Sequence, residues 1–428
     1  MAARTVAPSP SSRYRARVLD VERFREIAQE IQRTHCDPEG VGIMTRKARI
    51  FPVRLDDVSL KAAPLLKQEM LAVGGDAAHD RGIADHSVPH TSVVLLATLG
   101  QYRRLLPKLR RQPFHLTAIA DAVDQALHHA TSTAPRTVHG VHRSVVVGER
   151  TLVMGVVNVT PDSFSDGGAF LDPDTAIAHA RTLVAEGADL LDVGGESTRP
   201  GASEVAEEEE WRRIAPVVAA LHGELRVPIS VDTRHPSVAS RALEAGADLV
   251  NDVEGLRRPA MREVLLATGA PAIAMHMRGL PTTMQANAEY TDLRAEVFGF
   301  LAEATARALA DGIPPDRLLV DPGLGFGKSA EHNLELVRHL REFRSLGFPI
   351  VVGASRKSFL GVALGGAEPG ERGEAGIAAA VLAAANGADI VRVHDVLPVV
   401  RALRFTDAVG RAGLARAPIE DGYSDPDA

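Results

Sequence analysis

The chain has 428 residues, 45% of them apolar and 24% charged, with a formal net charge of −7. That length exceeds one ordinary domain and that balance suits a globular protein with a sizeable core, so two domains are expected. The acidic balance offers nucleic acid no electrostatic footprint, the single cysteine, Cys36, excludes an internal disulfide, and no apolar run reaches the ~18–20 residues of a membrane helix; a cytoplasmic protein without a membrane partner is expected.

The first residues carry Arg4, Arg13, Arg15 and Arg17 with several serines and no acid, which resembles a transit peptide. Pro8 and Pro10 oppose the amphipathic helix such a peptide needs, so a stretch without fixed structure is expected. Phe24, Ile27 and Ile31 share one helical face, a second helix is expected to end at Gly74 and Gly75, and residues 93–97 read as a buried strand. Leu116, Ile119, Ala120, Val123 and Leu127 mark a third helix. Residues 1–130 are therefore expected to form a small α/β domain. Within it Arg103, Arg104, Lys108, Arg110 and Arg111 read as a solvated helix face. His79, His86 and His90 read as loop histidines rather than metal ligands, because Pro89 interrupts the helix that would align two of them. ATSTAPR at 130–136 has the composition of a linker, which places a second domain at 137–412 and an unstructured tail at 413–428.

In the second half one phrase recurs: an amphipathic helix, a glycine able to close it in the left-handed conformation, then a short apolar strand ending in a polar residue. It appears around Gly187, Gly246, Gly269 and Gly387. The apolar runs at 152–157, 229–231, 318–320 and 350–352 bring the strands to eight, most separated by enough chain for a helix, and a (β/α)8 barrel is expected. In such a barrel the strand ends converge on one mouth. The polar strand ends are Asn158, Asp192, Asp232, Asn251, His276, Asp321, the Ser355, Arg356, Lys357 triplet, and Arg392 with His394.

Read as motifs, these ends are MGVVNVTPDSFSDGG at 154–168, DVGGESTRPGA at 192–202, SVDT at 230–233, NDV from Asn251, DPGLGFGKS from Asp321, GASRKSFLG from Gly353 and RVHDV from Arg392. The first two are rich in Gly, Ser, Thr and Asp, which suits active-site covers whose backbone and hydroxyl groups meet phosphate. GFGKS is not a nucleotide-binding P-loop, because Pro322 stands where that motif requires glycine. The acidic run at 207–210 reads as the solvated first turn of a helix, where negative charge suits the helix dipole. In this order, each at its own strand end, the motifs resemble those of dihydropteroate synthases over roughly residues 140–410.

The resemblance implies a folate-pathway transferase that joins 6-hydroxymethyl-7,8-dihydropterin diphosphate to p-aminobenzoate with release of diphosphate, acting as a homodimer. It implies pterin contacts at Asp232, Asn251, Asp321 and Lys357, and a diphosphate set of Asn158, Thr198, Arg199, Arg392 and His394, with Asn158 the protein ligand of Mg2+. The p-aminobenzoate side would be Phe164, Pro200, Phe326, Arg356 and Ser358. The catalytic group would be Asp321, Lys357, Asp166, Arg392 and His394, with Asp321 and Asp166 lending negative charge to a cation-like methylene. Residue chemistry agrees: a pterin edge presents adjacent N–H donors, which carboxylates and an amide accept. A pterin-dependent methyltransferase or a non-catalytic pterin-binding protein would share the Asp and Asn readers. Neither needs the diphosphate set. Residues 1–130 show no pterin-pyrophosphokinase signature, and no role is assigned to them.

Overall fold

The computed structural model describes residues 17–19, 21, 23–160, 173–196, 204–279, 284 and 288–411. The expectations for residues 1–16 and for the tail at 413–428 lie outside these, as do Phe164, Asp166, Thr198, Arg199 and Pro200. The chain forms two compact units that meet in sequence between Asp124 and Gln125.

The first unit contains α1 (Phe24–Gln32), α2 (Pro38–Thr45), β1 (Ile50–Ser59), α3 (Ala62–Ala72), β2 (Asp76–His79), β3 (His90–Thr98), α4 (Leu99–Leu109) and the start of α5 (Leu116–Thr131). Its antiparallel sheet has the order β1-β3-β2. Thr91, Val93, Leu95 and Ala97 are buried while Leu96 is exposed, so β3 is covered on one face only, by α3 and α4. The strand expected at 93–97 is present, with burial alternating along it. β1 was not foreseen, because its charges alternate onto the open face and interrupt any apolar run. His79 and His90 are strand ends rather than loop residues, and His90 Nδ1 lies 3.0 Å from Asp57 Oδ1.

The second unit is a closed parallel barrel. Its strands are β6 (Leu152–Asn158), β7 (Leu190–Gly194), β8 (Ile229–Asp232), β9 (Leu249–Asp252), β10 (Ala272–Met275), β11 (Leu318–Asp321), β12 (Val351–Val352) and β13 (Ile390–Val393). They pair in the order β11-β10-β9-β8-β7-β6-β13-β12, and a bridge between Val320 and Ile350 completes the ring. Around it run α6 (Pro173–Ala185), α7 (Glu207–Glu224), α8 (Pro236–Glu244), α9 (Pro259–Thr268), α10 (Leu293–Ala310), α11 (Ala330–Arg338), α12 (Ser358–Ala363), α13 (Gly373–Ala385) and α14 (Val396–Arg411). The glycines at 187, 246, 269 and 387 that precede strands have φ of +106°, +117°, +70° and +102°, the region open to glycine at little cost. Each therefore ends a helix and turns the chain back into the sheet.

Two cores follow from the two faces of the strands. Outward residues such as Val153, Leu191, Val231 and Val250 pack on the helices. Inward residues Leu152, Met154, Leu190, Leu249, Ile273, Leu319, Val351 and Ile390 fill the barrel. Below them a hairpin, β4 (Arg136–His139) and β5 (Ser144–Val147), adds Val138, Val145 and Val147 and closes the floor. The fully buried Asp248 secures this plug, accepting from the amides of His142 (3.0 Å), Arg143 (2.6 Å) and Ile229 (2.8 Å) and from Arg143 Nη1 (3.0 Å). The stretch at 130–136 is tied to the barrel: Arg344 Nη2 donates to Ser132 O at 3.0 Å and Arg136 donates to Gly347 O.

Candidate active site

The alternation that fills the barrel also decides what reaches its mouth. Two residues beyond the apolar layer, on the same inward face, stand Asp192 after Leu190, Asn251 after Leu249, Asp321 after Leu319 and Arg392 after Ile390. β8 contributes Ser230 and Asp232 in the same way, with Asp232 level with Asn251 across the β8–β9 ladder. A polar layer thus sits directly on an apolar one.

Its centre is Arg392. Nε donates to Asp192 Oδ2 at 2.5 Å and Nη2 to Asp232 Oδ2 at 2.8 Å. Asn251 Nδ2 donates to the same Asp192 oxygen at 3.0 Å. Burial works against the Arg392 charge, but Asp192 and Asp232 more than offset it and hold the guanidinium firmly protonated. Burial also raises Asp232 to about 7, against the pull of Arg392 and with the help of Asp192. Asp192 Oδ1 and Ser230 Oγ, on residues paired across β7 and β8, are buried without a hydrogen-bond partner among the described residues. The floor therefore has acceptors to offer a ligand from above.

Asp321 and Lys357 form the adjoining wall. Asp321 Oδ1 accepts from Gly323 N at 2.7 Å, and burial raises its pKa against that bond and the nearby lysines. Lys357 Nζ donates to Leu324 O at 2.7 Å and lies 4.0 Å from the centre of the Phe326 ring. Burial lowers Lys357 to about 7, with Asp321 opposing. This brings together four residues drawn from separate motifs: Asp232, Asn251, Asp321 and Lys357. Arg392, expected with the diphosphate residues, is bonded directly to Asp232 and so belongs physically to this floor.

Asn158 ends β6, half-buried. His394, past the end of β13, has Nδ1 3.1 Å from Ser355 Oγ, which also accepts from the His394 amide at 3.3 Å. Arg356 and Ser358 are exposed, Arg356 pairing with Asp395 at 2.8 Å, whereas Phe326 is buried.

Sequence reasoning missed a second layer of charge. Arg234, only 7% exposed, grips both oxygens of Glu196 at 3.1 Å, pairs with Glu204, and lies 3.6 Å from Glu254. Glu254 in turn accepts from Arg258 at 2.7 Å. Glu210 is fully buried and takes His235 Nδ1 at 2.7 Å, a bond that raises the His235 pKa. The acidic run at 207–210 is therefore not solvated throughout. Its helix turns Glu210 inward. Among the described residues Glu196, Glu210 and His235 form the one group with metal-ligand spacing, but Glu196 is already engaged by Arg234 and Glu210 by His235.

A parallel barrel with paired carboxylates, an amide and buried cations at its mouth has the make-up of a site for a polar small molecule. The family model described as pterin binding enzyme matches residues 154–394. A dihydropteroate synthase of Synechocystis is 48% identical over 265 residues, 62% of this chain and 92% of that protein. Proteins described as probable bifunctional folylpolyglutamate synthase/dihydropteroate synthase are 44% identical over 349 residues in Haloferax volcanii and 41% over 391 in Halobacterium salinarum. These cover 79% and 91% of this chain, more than the barrel unit alone supplies, while the chain spans 41% and 46% of those relatives. The solved dihydropteroate synthase of Xanthomonas albilineans with 4-aminobenzoic acid superposes with a TM-score of 0.61 at 44% identity, over 64% of this chain and 98% of that one. The chain belongs to the dihydropteroate synthase family of pterin-binding enzymes.

Replacing Arg392 by methionine leaves the Asp192 and Asp232 carboxylates facing each other without their cation. The expected loss of barrel stability is about 3–5 kcal/mol at pH 8. The deficit should shrink toward pH 5.5, because protonating Asp232 relieves the repulsion. Urea unfolding at both pH values measures this, and a loss that is small at pH 8 would show that Arg392 does not hold the floor together.

Proposed function

We propose that the chain condenses 6-hydroxymethyl-7,8-dihydropterin diphosphate with p-aminobenzoate to give 7,8-dihydropteroate and diphosphate. The observation that carries this reading is the buried array of Asp232, Asn251, Asp321 and Lys357 around Arg392. It presents carboxylate and amide acceptors to a donor-rich pterin edge and one lysine donor to the ring's acceptors. In the reaction the methylene C–O bond breaks with its electron pair leaving on the diphosphate. The amine nitrogen of p-aminobenzoate forms the new C–N bond and then releases a proton. Asp232 and Asn251 hold the ring, Arg392 keeps their floor charged, and Asp321 lies beside the developing positive charge. His394 and Asn158 serve the leaving group with Thr198 and Arg199. Phe326, Arg356, Ser358, Phe164 and Pro200 serve the p-aminobenzoate side.

Asn158 contributes one neutral oxygen donor, and among the described residues no free carboxylate cluster accompanies it. That donor set fits a hard cation carried in on diphosphate oxygens with Asn158 as its protein ligand. When bound, Mg2+ supplies charge neutralisation to the departing diphosphate. A methyltransferase would need no such set. We also propose that residues 137–412 carry the chemistry, with residues 1–130 a separate unit. The exposed Leu382, Phe405 and Val409 on α13 and α14 support a homodimer. Sedimentation velocity should find a two-chain species, and a concentration-independent monomer would refute it.

Diphosphate release is expected to require both p-aminobenzoate and Mg2+. Asn158→Ala and His394→Ala should each slow it by roughly a hundred- to thousand-fold, the usual cost of one lost charge contact in the transition state. Both should still bind a pterin lacking the diphosphate. Titration of bare pterin and ester by fluorescence tests this, and equal loss of both ligands would overturn the division of the mouth.

The Asp232 carboxylate, raised by burial to about 7, must be ionised to accept two N–H donors. Affinity for bare pterin should therefore rise about tenfold per pH unit from pH 5 to 7 and level above it. Asp232→Asn should bind weakly and without this slope. A flat profile in the unaltered protein would remove Asp232 from the contact.

A further inference from the structure

Lys328, the fourth residue of the GFGKS motif, carries no substrate assignment of its own and is only 3% exposed. Its surroundings explain why a cation is buried there. Residues 323–327 alternate glycine with Leu324 and Phe326, and the three glycines have φ of +68°, +83° and +62°. A Cβ on Gly323 would lie 1.9 Å from His276 O, and one on Gly325 would lie 2.7 Å from Lys357 Cδ. Such a loop packs tightly but, lacking helix or sheet, leaves backbone carbonyls in need of donors. Lys328 Nζ supplies them, lying 2.9 Å from Gly323 O, 3.0 Å from Phe326 O and 2.8 Å from His276 Nδ1. The other side of the same five residues meets Lys357, whose Nζ bonds Leu324 O at 2.7 Å and rests over the Phe326 ring at 4.0 Å.

We propose that Lys328 is a positioning residue for Lys357: by fixing the carbonyls of Gly323 and Phe326 against His276, it sets where the Leu324 carbonyl and the Phe326 ring stand, and these two groups place the Lys357 ammonium over the site. Two lysines thus share one loop. Lys328 holds it from behind and Lys357 is held by it in front. Asn333 Oδ1, accepting from Gly325 N at 2.7 Å, and Tyr290 Oη, donating to Gly327 O at 2.8 Å, brace neighbouring polar groups of the loop; Phe326 N donates to Gly323 O at 3.2 Å, and Lys328 adds a side-chain donor to that carbonyl and to Phe326 O. The effect of Lys328 on turnover rests on the assignment of Lys357 to the pterin. Its effect on Lys357 itself does not.

Lys328→Met keeps the length of the chain and removes its donors. With lysine carbon-13 labelled at Cε, Lys357 in the unaltered protein is expected to titrate well below an ordinary lysine, at about 7. In Lys328→Met it should move upward, toward an ordinary lysine, as the loop releases it to solvent. The specificity constant for diphosphate release should fall on the order of a hundred-fold, the scale of a reactive group displaced by about 1 Å. In a Lys357→Met background the further loss from Lys328→Met should be within about twofold, since a residue acting through another has nothing left to position. An unmoved Lys357 titration, or losses that multiply across the two variants, overturns the proposal. If Lys357→Met alone leaves pterin affinity unchanged, the pterin assignment of Lys357 fails while the titration still decides the positioning role. Should Lys328→Met not fold, His276→Gln removes only the imidazole from the Nζ partners. A smaller upward shift of Lys357 is then expected, and no shift overturns the proposal.

Discussion

The mouth of this barrel depends on one guanidinium. Asp192 is completely buried and Asp232 nearly so, two carboxylates that water would otherwise stabilise by several kcal/mol each. Arg392 lies between them with a different nitrogen on each, and Asn251 supplies a further donor to Asp192. The carboxylates keep Arg392 charged where burial alone would disfavour it. Each member is tolerable only because the others are present.

The strand period places that cluster where it can act. Alternation puts Leu190 and Ile390 into the packed interior and, two residues later, Asp192 and Arg392 onto the same axis. The apolar layer below excludes water from one side, so charges above it interact across a medium less screening than bulk solvent. That difference turns a ring of ordinary polar side chains into a set with displaced pKa values, Asp232 raised and Lys357 lowered. Perturbed groups of this kind mark sites built for binding or chemistry, and here they lie within the family motifs SVDT and GASRKSFLG.

Around the floor, the loops are held by charged hydrogen bonds as well as by the apolar cluster of Val253, Met275, Met277, Met284 and Phe326. Arg234, which follows β8, joins Glu196 and Glu204 after β7 and Glu254 after β9. Asp248 does the same at the opposite end of the barrel, with the hairpin. A barrel whose loops must present polar groups to a ligand cannot cover them with hydrocarbon, and charge-assisted bonds supply rigidity without closing the mouth.

Much of this was legible in the sequence. The helix, glycine and strand phrase determined the barrel, because a left-handed glycine and a short apolar run specify local geometry wherever they occur. The polar residue closing each run marked the mouth, and the motif order marked the family. In the first unit β1 escaped notice, since a strand covered on one face carries charges on the other. What tertiary structure alone decided were the partnerships. Nothing in RVHDV says that Arg392 bonds Asp192 and Asp232, 200 and 160 residues earlier in the chain. Nothing in EEEE says that Glu210 turns inward to meet His235, or in GFGKS that Lys328 faces its own loop. A side chain's type and its local period are written in the residues beside it, whereas burial and pairing depend on which distant strands close the ring.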